Sequence, residues 1–295
     1  MKTNIDLPRL LKHLNYNSSL SQSALENYER LPLGSEIEIV DDSSKIINEK
    51  ASLISGFIDG IQGIKILGFR DLRPYALTYA SAGCTDNLAN LLVFSENISL
   101  KCTELDKEWA ENLPGNVPVR TVDFESVWNV GPRLVEDLAA DRVKLEHGVA
   151  AETLNKVRDG LLVIDGSLVG HPYDERMIGV VKTMHQQYLS DASFLESIKE
   201  NYRSLVFKIP AGFKGSTRDR YSCYLKLFPL NNSHVSYGLV RVEVFSLDML
   251  DTACAAILAD RQSIMSADKR YDRHLSGVSV CESVLKSKKP SFFSM

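Results

Sequence analysis

Two carboxylates in this chain occupy the same unusual place. SGFIDGIQG (55–63) and LLVIDGSLVG (161–170) are apolar runs broken by Ile-Asp-Gly, with Asp59 and Asp165 at the matching position. A carboxylate at the end of a buried strand is costly to desolvate unless a cation compensates it. Asp-Gly is also a common turn dipeptide, which explains either site alone better than it explains the pair. A third acid stands on a helical stripe. Ala139, Val143, Ala150, Leu154 and Val157 step by three, four or seven residues, and the position missing from the series is Glu146. Glu146 therefore sits on the core-facing seam, where an unpaired carboxylate destabilises. Arg142, one turn earlier, offers it an ion pair as the structural alternative. Three such acids are hard oxygen donors and suit Mg²⁺ or Mn²⁺ rather than zinc. Divalent ions held by carboxylates hydrolyse phosphodiesters by activating water and stabilising the leaving oxygen.

The elements that must bring these acids together can be read along the chain. Residues 5–30 read as a polar-faced helical arm. ISGFIDG, GIKILGF, ALTYASAG and LANLLVF, between 52 and 94, read as an antiparallel meander whose turns fall at Gly63 and the DLRP segment. Residues 104–131 carry Pro114, Gly115, Pro118 and Gly131 and read as a loop-rich connection. A long helix is predicted from Pro132 to about Arg158, with proline near its start and Gly160 past its end. LLVID is a continuously apolar strand, the pattern of one covered on both faces. RMIGVVKT (176–183) reads as the next strand, followed by a helix through 190–202. SCYLKLF and SYGLVRVEVF alternate like a hairpin, and SLDMLDTACAAILADRQSIM reads as a closing helix. The three acids converge if the LLVID strand lies beside the first strand of the meander.

Composition bounds the function. The chain has 295 residues, 44% apolar and 24% charged, and a net charge of −4. That is a globular composition with room for a substantial core, and it argues against a general polyanion binder. No run approaches the ~18 apolar residues of a membrane helix, and the N-terminus lacks signal-peptide character. The five dispersed cysteines form no CxxC, which points to a reduced, cytoplasmic protein. Basic residues gather at Lys208, Lys214, Arg218, Arg220 and Lys226, at Lys269, Arg270 and Arg273, and in KSKK (286–289). Each cluster taken alone reads as a solvated face or a frayed tail. Tyr75, Tyr79, Trp109, Trp128, Tyr224 and Tyr237 could stack on single-stranded bases or simply pack.

These residues resemble the NurA nucleases, whose core is similar to ribonuclease H. The likeness lies in IDG (58–60), Arg142-x-x-x-Glu146, IDGSL (164–168), IGVVKT (178–183) and RVE (241–243). The resemblance implies an α/β fold with a ribonuclease H-like mixed sheet and flanking helices. It implies a nuclease domain over 51–265, between a helical arm (1–50) and a C-terminal extension (266–295). It further implies a metal-dependent nuclease acting on DNA ends or single strands, a homodimer, and a HerA-type hexameric ATPase partner in end resection or phage defence. Carried over, Asp59, Glu146 and Asp165 are the metal ligands for Mn²⁺ or Mg²⁺, and Lys182 is a catalytic or phosphate-contacting cation. Lys182 also has that role from position, since its ammonium emerges after the apolar IGVV. Arg142, Arg241 and Glu243 belong to the nucleic-acid-facing set. Arg241 and Glu243, two apart on one strand face, read either as a phosphate contact with its orienting acid or as a surface ion pair. Ile61 replaces the serine the family usually carries after its first Asp-Gly, and Asp260 and His274 stand nearest to its late histidine. His147 points about 100° away from Glu146 on the helix, and His185 follows Lys182 by three. Two other readings compete: a non-catalytic dimeric adaptor of the ATPase, and an actin-like ATPase with IDGIQG as its phosphate turn.

Overall fold

The computed structural model describes Leu10 and His13, residues 37–49, 53–123, 129–182, Tyr188, and residues 194–213, 216–229, 237–262 and 274–293. In chain order the elements are β1 (Glu38–Asp41), β2 (Lys45–Ile46), β3 (Ile54–Arg70), β4 (Arg73–Thr85), β5 (Leu91–Cys102), α1 (Lys107–Glu111), β6 (Val119–Thr121) and α2 (Val130–Lys156). There follow β7 (Leu161–Asp165), β8 (Met177–Val181), α3 (Phe194–Ser197), β9 (Tyr202–Arg203), β10 (Val206–Ile209), β11 (Arg220–Lys226), β12 (Leu239–Val244), α4 (Leu250–Asp260), β13 (Arg261–Gln262), β14 (His274–Leu275) and α5 (Ser276–Lys288). One mixed sheet runs in the order β1-β10-β11-β12-β8-β7-β3-β4-β5-β6. Within it, β3, β4 and β5 form an antiparallel meander, β7 lies parallel to β3, and β8 parallel to β7. An antiparallel triplet extended by parallel strands beside its first member is the ribonuclease H-like arrangement. β11 and β12 add the expected antiparallel hairpin beyond β8.

Helices cover both faces. On one, Val149 and Ala150 of α2 pack with Ile58, Ala82, Cys84, Val93 and Ile164. On the other, α4 and α5 bring Leu250, Ala253, Ile257, Val278, Cys281 and Leu285 against Phe57, Ile61, Val163, Val180 and Val242. This alternation assigns the even residues of β3 to the α2 face and the odd ones to the α5 face.

Several expectations are corrected. β3 is one strand of 17 residues and passes straight through Gly63, so Asp59 lies inside a strand rather than at its end. Asp59 does mark where the parallel neighbour stops, because β7 pairs with β3 only over Ile54–Ile58. The meander turns instead at Asp71 and Leu72, both at positive φ, in the DLRP segment. The connection at 104–131 contains α1 and β6 as well as loop. Helix α2 buries Leu134, Leu138, Asp141, Glu146, Val149, Ala150 and Thr153, a stripe rotated from the one predicted, although Glu146 is on it. Of 190–202, the described helical part is only Phe194–Ser197, and α4 stops at Asp260. Residues 38–46, assigned to the arm, supply β1 and β2 to the sheet, and α5, assigned to the extension, builds the core of one face. Of residues 1–36 of the expected arm, only His13 and Leu10 are described, and Leu10 is buried with Leu67 and Leu77.

Candidate active site

The parallel pairing of β3 with β7 builds the centre. Ile58 is opposite Ile164, so the next residue of each strand is an aspartate, with the backbones one strand spacing apart, about 4.8 Å. Asp59 is buried, and its Oδ1 accepts the amide of Gly60 at 2.7 Å. Burial raises its pKa to about 8, the charge of Asp165 adds to the rise, and Gly60 and Lys182 oppose it. Asp165 is held by Lys182, Nζ to Oδ1 at 3.0 Å, where the chain leaves β8.

Glu146 approaches from α2 on the other face. A helix can come this close only over a residue without a side chain, and β3 offers Gly60 there. A Cβ on Gly60 would strike Glu146 Oε1 and lie 2.9 Å from Arg142 Cγ. Burial raises the pKa of Glu146 to about 7; Arg142 opposes the rise and Asp165 adds to it. Arg142 makes the ion pair with Glu146 that the sequence offered as alternative, and its Nε donates to Gln62 Oε1 at 3.2 Å. The register of α2 is fixed further along by Lys101, fully buried between Asp137 and Asp141, with Arg120 on Asp141 at 3.0 Å.

The turn after Asp165 is braced from the hairpin. Glu243 is fully buried; its Oε2 accepts Ser167 Oγ at 2.8 Å, the Leu168 amide at 3.0 Å and Arg220 Nη1 at 2.8 Å. Its Oε1 accepts Arg241 Nη2 at 2.6 Å. Burial disfavours the charge of Glu243, but Arg241, Arg220, the Leu168 amide and Ser167 together hold its pKa below the usual value. Arg241 is buried too, with its guanidinium 4.2 Å from the Tyr188 ring centroid. Arg241 and Glu243 are therefore an interior ion pair, neither a surface pair nor open to a strand of nucleic acid in this structure. Glu243 orients the IDGSL turn instead. Gly179 makes room for that turn, since a Cβ there would lie 2.8 Å from the Gly166 oxygen.

Arg220, Ser167 and the glycines at 60 and 179 were missed as members of the site. The spacing of β11 against β12 places Ser222 opposite Glu243, so Arg220 is its diagonal neighbour; only the hairpin register reveals this. Asp260, a candidate for the fourth position, accepts the Gly277 amide at 3.1 Å and so caps α5. Its pKa is raised to about 6 by burial. His147 Nε2 donates to the Val169 carbonyl oxygen at 3.1 Å, and its ring packs edge-on against His171, away from the acids. His185, the side chain of His274, Trp128, Lys214, Lys269, Arg270 and Arg273 lie outside the described residues. The aromatics pack rather than stand open: Tyr79 and Tyr224 are buried, and Tyr75 meets Trp109 edge-on at 5.0 Å. Of the first basic cluster, Arg220 and Lys226 are buried and Lys208 pairs with Asp219 at 2.7 Å.

Among the described residues, no three His, Cys, Asp or Glu side chains stand as a ready-made metal group. Asp59, Glu146 and Asp165 nonetheless fit a hard divalent ion by kind and position. They are oxygen donors within electrostatic reach of one another, and two of them have pKa values raised by burial and by a neighbouring carboxylate. A cation between them would reverse both shifts.

Residues 136–275 match the family model of the NurA domain, a span that holds Glu146, Asp165, Lys182, Arg241 and Glu243 but not Asp59. No curated protein matches the sequence. Among solved structures, two of Argonaute from Aquifex aeolicus align with the chain at 14% and 15% identity and TM-scores of 0.30 and 0.26. They cover 80% and 83% of this chain, which spans 29% of the length of each. Among the described residues no helix is long and apolar enough to cross a membrane. Residues 136–275 are thus similar to the NurA domain, the domain of the nuclease family that the chain's motifs resemble.

Proposed function

We propose that this chain is a divalent-metal-dependent DNA nuclease of the NurA kind, a cytoplasmic homodimer that resects DNA ends and cuts single strands with a HerA-type hexameric ATPase. The observation that carries the reading is the pairing of Ile58 with Ile164, which sets Asp59 and Asp165 side by side with Lys182 on Asp165. Asp59, Glu146 and Asp165 would hold Mn²⁺ or Mg²⁺, which when bound supplies an activated water and charge for the leaving oxygen. Asp59 and Glu146, both raised toward neutrality, would give up their protons on binding it. Lys182 would turn from Asp165 to a phosphate oxygen, and Arg142 would do the same from Glu146. Arg220, Glu243 and Arg241 would keep the turn after Asp165 in place. Repair of broken ends and defence against phage are the two settings in which such an enzyme would act.

The test is degradation of end-labelled single- and double-stranded DNA with Mn²⁺, comparing wild type with Asp59→Asn and Asp165→Asn. Loss in both variants, with folding intact, is expected; cleavage that survives both rejects the site. The ion pairs on Asp165 and Glu146 also favour a second reading, a non-catalytic dimeric adaptor whose own cations have replaced the metal. It predicts no cleavage by any form, even with the ATPase added.

A further inference from the structure

The KSKK segment at the end of α5 takes a defined place on the sheet. Helix α5 runs along β3 on the odd-numbered face. Gly277 abuts Phe57 near its start, Leu285 abuts Gly83 opposite Asp59, and Lys289 rests on Gly63 after its end. A Cβ on Gly63 would lie 3.0 Å from both Cε and Nζ of Lys289. A glycine inside a strand weakens it and often marks a close approach, and here the approaching group is an ammonium. Burial and the neighbouring Lys286 both lower the pKa of Lys289, and among the described residues no carboxylate is paired with it. Lys288 stands 6.0 Å over the Phe94 ring, and Phe94 shares a row with Gly83 and Asp59 across three strands. Lys65 stands 4.6 Å over Phe292 and donates to its carbonyl at 3.2 Å. Lys286, exposed, pairs with Glu282 at 2.8 Å. A partly buried cation left without a counter-charge is costly unless an anion meets it, and rings beneath two of these ammoniums limit the freedom lost when one does.

We infer that Lys65, Lys286, Lys288 and Lys289 form a phosphate-binding track for a single nucleic-acid strand, on the face of the sheet that carries Asp59 and Asp165. Lys289 sits over Gly63, four strand residues from Asp59 and hence about 13 Å along β3. The track thus holds backbone phosphates a few nucleotides from the bond being cut. Its place in the reaction rests on the nuclease reading, but its binding does not.

The full chain and its Lys286→Ala/Lys288→Ala/Lys289→Ala variant are titrated against fluorescent oligothymidine in EDTA, by anisotropy over a range of salt. The variant should bind at least about tenfold more weakly, with a log–log salt slope shallower by about 2. The double variant Lys286→Gln/Lys288→Gln, confined to exposed side chains, should lie between the two and guards against a folding defect. Hydrolysis of bis(p-nitrophenyl) phosphate, too small to reach the lysines, should stay at the wild-type rate while cleavage of long single strands falls. Equal affinity and equal slope in all three proteins overturn the track, as does a wild type that binds no oligothymidine. Lysine-dependent binding without cleavage of any substrate keeps the track and sinks the nuclease reading instead.

Discussion

Asp59 is the residue whose chemistry departs furthest from that of an ordinary aspartate. Its pKa is raised from 3.8 to about 8, first by burial and then by Asp165. In the unfolded chain it ionises near pH 4, whereas the folded chain keeps the proton until about pH 8. Between those limits the folded state binds the extra proton, so the residue's contribution to stability falls as pH rises, by up to about 1.4 kcal/mol per unit. Asp59→Asn removes that slope. Melting curves in EDTA from pH 4 to 8 should show the variant gaining on wild type at each step, and parallel curves would reject the burial argument. The acids were legible in the sequence because a charged residue in an apolar pattern has no inexpensive explanation. Their partners were not. Arg220 reads as one of several surface cations until the β11–β12 register puts it beside Glu243, and nothing local announces that register.

At the scale of elements, pattern was legible where one face dominated and misleading where glycine interrupted it. The strand Leu161–Asp165 and the helix Val130–Lys156 fall where composition and capping residues placed them. Gly63 reads as a turn in sequence, yet β4 pairs with β3 on both sides of it, and the glycine makes room for Lys289. The true turn carries two non-glycine residues in the left-handed region, Asp71 at φ 45° and Leu72 at φ 66°. Leu72 is 77% exposed, so its side chain gains little there to offset the strain. Leu72→Gly should therefore stabilise the hairpin by about 1 kcal/mol, read as a higher urea midpoint at an unchanged slope. A lower midpoint would mean that Leu72 makes a contact worth more than its backbone strain. The predicted stripe on α2 was rotated because Asp141 is buried against Lys101, an apolar-looking role for a charged residue that only its partner explains.

At the scale of the whole molecule, the chain crosses itself in a way the family match does not display. The matched residues begin at 136, within α2, yet β7 of that segment lies against β3, which comes from residues 54–70. Phe57 and Gly83 from the first half likewise pack under α5 from the last. The recognisable domain and the foldable unit are therefore different objects. A polypeptide of residues 129–295 alone should show no cooperative thermal transition, since it bares the edge of β7 and the apolar face of α5. Mixing it with residues 1–123 offers the stronger trial, because recovered structure would have to come from two fragments shuffling into one sheet. The same weave sets an order on synthesis. Asp59 leaves the ribosome about a hundred residues before the strand that must lie beside it, so the pairing of the two aspartates waits until β7 has emerged.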